Sequence, residues 1–431
     1  MTDYGECGFE TKMVHAGYDG DASHAVVPPL YQTNAYYYDD TAHAQRLFGL
    51  KEAGNIYTRI TNPTNAFLEA RVNALEGGVG ALAFSSGHAA MFGAIANLAC
   101  SGDEIVSSRD IYGGAVNMFG VSLKRLGITV KFVDPDDLRA WEAAVTPRTR
   151  LFFTELIGNP NANISDIEKI AETAHAHGIP FMVDGTFNTP YLCRPLEWGA
   201  DFTVHSATKF LSGHGQVMAG IVTDGGSFEF KGNPRFPLFN QPDVSYHGMV
   251  FADAGRGAFI LRLRALILRD FGACAAPFNS FAVLQGIETL SLRMERHCDN
   301  ALKIAEYLES RSDVLSVGYP SLKSGKYRAL ADKYMPRGAG GVFSFRLKGG
   351  KEKAVAFMDG LRLIQNVSNV GDIRTQVVHS ATTTHSQLSE EQLRLSGIDG
   401  GDVRISVGIE TADDLIRDIE RALDGRRAKT G

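Results

Sequence analysis

Cysteine is scarce in this chain: five in 431 residues (Cys7, Cys100, Cys193, Cys274, Cys298), with no Cys-x-x-Cys spacing. That excludes a disulfide framework and a cysteine-built zinc site, and no metal is expected. Scattered thiols suit a reducing compartment, so the expected location is cytoplasmic. Excess positive charge is also missing. Lysine and arginine number 43 against 49 aspartate and glutamate, a net charge of −6, which argues against nucleic acid as a partner. No apolar run approaches the ~20 residues that cross a membrane. The opening MTDYGECGFETKM lacks the basic-then-apolar layout of a secretion signal, and no membrane partner is expected. Internal repeats and low-complexity segments are absent too.

What remains is ordinary globular text, long enough for a large core and a second, smaller domain. Residues 1–62 read as an arm. They carry Pro28-Pro29, three successive tyrosines (Tyr36, Tyr37, Tyr38) and weak periodicity, features of a segment that packs on a neighbouring subunit. A helix is predicted over 65–76. Seven apolar runs follow: ALAFSS (81–86), EIVSS (104–108), ITVKFVD (128–134), RLFFTEL (150–156), PFMVDGT (180–186), DFTVHSA (201–207) and AGIVTD (219–224). Helical patterns separate them, near 88–99 and 115–126, after Asp136 and after Ser165. Strands apolar throughout, alternating with helices, predict an α/β fold with a mostly parallel sheet covered on both faces. KGNPRFPLFNQPDVSYHG (231–248) is an irregular insertion, followed by a long helical region near 253–310. A smaller α/β unit closes the chain, with strands at 314–320, 340–347 and 403–408, a helix at 351–361 and another from Thr411. The expected division is an arm (1–62), a large domain (63–275), and a linking helix with a C-terminal domain (276–431).

Ligands of an open parallel sheet sit beyond the carboxyl ends of its strands, so the residues there carry the functional reading. After the first run, Ser86-Gly87-His88 opens a helix, where free backbone N–H groups favour a phosphate. Tyr112 follows the second run and could stack on a planar cofactor. Asp184 ends PFMVD, where a carboxylate needs a cationic partner. VHSATKF sets Ser206, Thr208 and Lys209 at the next strand end. A desolvated lysine loses its proton readily and can form a Schiff base. Each has an ordinary reading as well: many βα turns contain glycine, a loop tyrosine covers a rim, an aspartate caps a helix, and most lysines are on the surface. The set changes the balance. A phosphate cradle, a stacking ring, a buried acid for a pyridine nitrogen and an amine for an aldehyde are what pyridoxal phosphate (PLP) requires.

The text then resembles the Cys/Met-metabolism PLP enzymes of fold type I over nearly its whole length. The resemblance is carried by IYTRITNPT (56–64), SSGHAA (85–90), IYGG (111–114), VDGTFNTPYLCRP (183–195), VHSATKFLSGHG (204–215) and VRISVGIE (403–410). Five further strings resemble the O-acetylhomoserine sulfhydrylase branch: GNPNANISDI (158–167), SYHG (245–248), FNSFAVLQGIETLSLRMERH (278–297), NVGD (369–372) and THSQLSEEQL (384–393). The resemblance implies that Lys209 holds PLP, that Asp184 pairs with its ring nitrogen and that Tyr112 stacks on the ring. Gly87, His88, Ser206 and Thr208 would cradle the phosphate, with Thr186 beside the cofactor. Tyr57 and Arg59 would reach the phosphate of a neighbouring subunit, with Tyr57 also near its substrate. Arg404 would grip the substrate carboxylate, with Asn369 and Asn159 nearby, and Glu155 would lie close to the cofactor.

It further implies a homotetramer of dimers with shared sites, acting on a small amino acid and sulfide or a thiol. The implied reaction is γ-replacement on O-acetyl-L-homoserine, in which Lys209 shuttles protons and Tyr112 serves as acid for the leaving group. Alternatives are methionine γ-lyase or cystathionine γ-synthase-type activity, or a non-catalytic PLP-binding protein. Three positions depart from the family's pattern: Gly185 for asparagine, His88 for glutamine, and Gln216-Val217-Met218 for small polar residues. Two features favour replacement over elimination. Gly114 stands where methionine γ-lyases often carry cysteine, and the insertion 231–248, with Phe236, Phe239 and Tyr246, reads as a flap over the entrance. Other signals have plainer readings. Gly77-Gly78-Val79-Gly80 is a turn, His175 and His177 point apart on one helix, and LRLRALILRD (261–270) is a packing helix rather than a membrane-surface one.

Overall fold

The computed structural model describes residues 4–383 and 399–425; THSQLSEEQL (384–393) lies outside them. Seven strands form the larger sheet: β1 (Gly80–Phe84), β2 (Glu104–Ser108), β3 (Thr129–Val133), β4 (Thr149–Glu155), β5 (Phe181–Asp184), β6 (Phe202–His205) and β7 (Gly220–Asp224). Their order is β1-β7-β6-β5-β4-β2-β3. From β3 to β6 every neighbouring pair is parallel, while β7 runs antiparallel to both β6 and β1. The sheet is thus mostly parallel, with one reversed strand near the β1 edge. Successive side chains on a strand point to opposite faces, and the two cores divide accordingly. Phe152 and Val183 pack into one, Phe153 and Met182 into the other.

Local chemistry sets the flanking helices. Asn62 caps the helix Pro63–Glu76 by accepting from the Thr64 N–H, Pro63 occupies its first turn, and Gly77 ends it in the left-handed region at φ 78°. On the other face, Gly87–Leu98 packs against β6 and β7. The arm contains two helices that its weak periodicity did not announce, Phe9–His15 and Thr41–Phe48. The first is tied down by buried Arg71, which donates to the carbonyls of Met13 and Ala16.

The insertion is not a flap. Phe236 and Phe239 are fully buried, and Phe239 stacks on Phe230 with ring centroids 4.0 Å apart. Arg235 donates to the carbonyls of Thr146, Thr149 and His177, and the Tyr246 hydroxyl donates to the Ala265 carbonyl at 3.0 Å. Burial of the Phe236 and Phe239 rings anchors the first half of this segment in the core, while Val244 in its second half is exposed. The helical region after it is broken rather than continuous. Gly272, at φ 75°, ends its first part, and Pro277–Ile287 and Leu290–Glu309 follow. Leu263, Leu266, Ile267 and Leu268 are buried, as expected of a packing helix. No helix among the described residues is long and apolar enough to cross a membrane.

The smaller sheet contains β8 (Val314–Val317), β9 (Val342–Leu347), β10 (Gln365–Asn366), β11 (Gln376–Val378) and β12 (Asp402–Ser406), in the order β10-β11-β12-β9-β8. It brings Arg404, on β12, towards the carboxyl ends of β4 to β6.

Candidate active site

A cavity of about 360 Å³ opens at the carboxyl ends of the parallel strands, between the two sheets. After β1, the Ser86 Oγ caps the helix Gly87–Leu98 by accepting from the Ala89 N–H at 3.1 Å. A Cβ at Gly87 would stand 2.6 Å from the Cβ of Ser206. Glycine is therefore what lets the loop after β6 close against this helix start. The result is a corner of helix-terminal N–H groups beside the Ser206 and Thr208 side chains, suited to an anion. His88 meets the Tyr112 ring edge-on, centroids 5.6 Å apart.

After β2, the backbone N–H of Tyr112 donates to Glu155 Oε1 at 2.7 Å. Glu155 ends β4 and Asp184 ends β5, side by side in register. Burial raises both carboxyl pKa values, and the charge of Asp184 pushes Glu155 higher still. Hydrogen bonds from Thr186, including its N–H at 2.8 Å, work the other way at Asp184. An ionised acid here gains from any cation placed in the cavity.

After β6, Lys209 Nζ donates to Asn369 Oδ1 at 2.6 Å. Burial and the Arg404 charge bring its amine down to about 8. Arg404 is itself buried; it donates to Asn159 Oδ1 at 3.1 Å and to the Asn369 carbonyl at 3.5 Å. Burial lowers its pKa to about 10, against the opposing pull of Tyr112 and Glu155.

The structure thus gathers Gly87, His88, Tyr112, Asn159, Asp184, Thr186, Ser206, Thr208, Lys209, Asn369 and Arg404 around one cavity. Tyr57 and Arg59 are not part of it. They flank a separate crevice, where Arg59 donates to the Arg269 carbonyl and lies over the Tyr57 ring at 5.4 Å. Residues of the wall not singled out from sequence include Met91, Ile157, Phe187, Ser368 and Val370. Ser368 and Val370 flank Asn369 and were within reach of that reading; Met91, a turn into a helix, gives no sequence signal. Met218, of the unusual Gln216-Val217-Met218 string, also lines the wall. Gly114 has a steric reason: a Cβ there would lie 2.5 Å from the Tyr112 ring and 3.0 Å from His88.

The family model for Cys/Met metabolism PLP-dependent enzymes matches residues 10–424. The chain belongs to that family. This PLP-dependent enzyme is similar to an O-acetyl-L-homoserine sulfhydrylase of Corynebacterium glutamicum, 48% identical over 96% of each chain. A homocysteine synthase of Schizosaccharomyces pombe is 47% identical, over 96% of this chain and 98% of the other. Among solved structures, a Campylobacter jejuni protein assigned as an O-acetylhomoserine (thiol)-lyase superposes with a TM-score of 0.95 at 39% identity, over 97% of this chain and all of that one. That protein carries its pyridoxyl phosphate on a lysine. The fold is therefore that of fold type I PLP enzymes. The cavity of this PLP-dependent enzyme fits the cofactor. A side chain at Gly87 would fill the anion corner, a raised carboxyl awaits a cation at Asp184, and Lys209 presents an amine of lowered pKa.

Proposed function

We propose that this enzyme replaces the acetate of O-acetyl-L-homoserine with sulfide or a small thiol, giving L-homocysteine or, from methanethiol, L-methionine. The carbon–oxygen bond at Cγ breaks, a carbon–sulfur bond forms there, and acetate leaves. The likeness to the sulfhydrylases over 96% of the chain supports the substrate. The observation that carries the chemistry is the juxtaposition of Arg404, Asn159 and Asn369 with Lys209 in one cavity.

Bound there, PLP supplies an electron sink for charge that develops at the substrate Cα. Gly87, Ser206 and Thr208, with His88 beside them, hold the phosphate, and Tyr112 covers the ring. Asp184 offers its carboxylate to the ring nitrogen and keeps that nitrogen's proton in place. Arg404, oriented by Asn159, grips the α-carboxylate with its two-pronged guanidinium. Lys209 takes a proton from Cα, hands it on and, neutral again, takes one from Cβ. An amine with a pKa near 8 suits both taking and returning protons near neutrality. The Tyr112 hydroxyl is the acid for the departing acetate.

The same proposal includes a cytoplasmic homotetramer of dimers with shared sites, and the division of the chain at residues 62 and 275. Tyr57 and Arg59 stand outside their own cavity, in an arm with exposed Val26 and Tyr37, which supports their reaching a second copy. A product assay with O-acetylhomoserine tests the reaction. With sulfide, homocysteine should form several-fold faster than 2-oxobutyrate, and methionine alone should be a poor substrate. Rapid release of methanethiol and 2-oxobutyrate from methionine would make the enzyme a lyase.

A further inference from the structure

Outside the cavity, His205 and Glu76 are both fully buried, with His205 Nε2 2.5 Å from Glu76 Oε1. A buried ionisable pair costs desolvation and adds little stability compared with apolar packing, so its retention calls for a reason. Two geometric facts tie it to Asp184. His205 ends β6, and its neighbour Val204 pairs directly with Asp184 on β5. Its ring also occupies the space beside Gly185: a Cβ there would stand 2.5 Å from His205 Cε1. The imidazole therefore packs against the peptide that follows Asp184, and the glycine in place of the family's asparagine admits it.

The charges agree with this arrangement. Burial disfavours a protonated His205, but Glu76 foremost, then Asp184 and the Gly185 backbone, raise its pKa. His205 in turn favours the ionised Asp184, as does His88, while Asp184 and Glu155 oppose each other. Cys193 lies near Glu76, and its thiol is pushed up by burial and by that carboxylate.

We propose that the Glu76–His205 pair is a positioning device for Asp184: an imidazolium held by Glu76 keeps Asp184 ionised and in place for the cofactor's ring nitrogen. The inference rests on the reading of Asp184 given above, and binding of cofactor to the apoenzyme separates the two. Affinity is measured for PLP and for its 1-deaza analogue, in which a C–H replaces the ring nitrogen. Wild-type enzyme should prefer PLP. His205→Gln keeps a hydrogen-bond donor for Glu76 but cannot carry charge. Its preference for PLP should fall about tenfold, the equivalent of one pKa unit, while affinity for the analogue changes little. Gly185→Ala, which crowds the ring with both partners intact, should show the same selective loss and decides the matter if His205→Gln does not fold. An unchanged preference in the variants, or equal loss of both ligands, would overturn the proposal. Asp184→Asn is the control. If it retains the preference, the reading of Asp184 itself fails; if it loses the preference while His205→Gln keeps it, only the role of His205 falls.

Discussion

An amine buried beside a guanidinium releases its proton early, and Lys209 is so placed. Because its pKa is lowered to about 8, the neutral, nucleophilic form predominates above that pH and is lost below it. Capture of PLP by the apoenzyme, followed by absorbance after mixing, should therefore speed up with pH, reach half its maximum near 8 and level off above it. A profile still climbing towards ~10.4, the value of an ordinary lysine, would contradict the burial of this amine. Borohydride should then fix the cofactor on Lys209 alone, as peptide mapping can check. Asp184→Asn should cost far more turnover than cofactor affinity. Loss of a buried ionic partner is worth ~3–5 kcal/mol, a rate loss of roughly a hundred-fold to several thousand-fold. Arg404→Lys keeps the charge but loses the fork, so KM for O-acetylhomoserine should rise without a fall in melting temperature. The opposite pattern would make Arg404 a structural residue. Asp184 and Lys209 were legible as candidate site residues because they end or follow apolar runs, and a parallel sheet gathers such ends at one rim; Arg404, inside β12, was singled out by the family resemblance alone. The bond from Lys209 to Asn369 was not legible: it spans 160 positions, and no periodicity connects them. Glu76 and His205 were hidden for the same reason.

At the scale of elements, continuous apolar runs disclosed the seven strands and amphipathic stretches most of their helices, because each is a run of several residues. β10 and β11, two and three residues long, are too short to show a period. The insertion 231–248 was misread because proline and glycine signal irregular backbone without saying whether the rings between them point inward. Phe236 and Phe239 do point inward. Phe239→Ala should accordingly destabilise the protein by ~3–5 kcal/mol, seen as a lower melting temperature, with the ratio of homocysteine to 2-oxobutyrate unchanged. A change in that ratio at unaltered stability would restore the flap.

At the scale of the molecule, the arm's Tyr57 and Arg59 face a crevice of their own while the cavity lies elsewhere. If they complete a partner's site, Arg59→Ala and Lys209→Ala proteins, each inactive, should regain activity on mixing. A hybrid dimer has one site with both lesions and one with neither. No recovery, once subunit exchange is demonstrated by mass, would confine Arg59 to its own chain. The cavity wall itself begins at Ser86 and is finished only by Arg404 on β12. A ribosome releases the N-terminal part first, and the anion corner, the acid and the amine all emerge well before the guanidinium and Asn369. A nascent chain halted before Asn369 therefore lacks both groups that close the pocket, and one halted before β12 still lacks the guanidinium. Cofactor loading becomes a late event in biosynthesis: truncated translation products should stay colourless in the presence of PLP, and only full-length polypeptide should turn yellow.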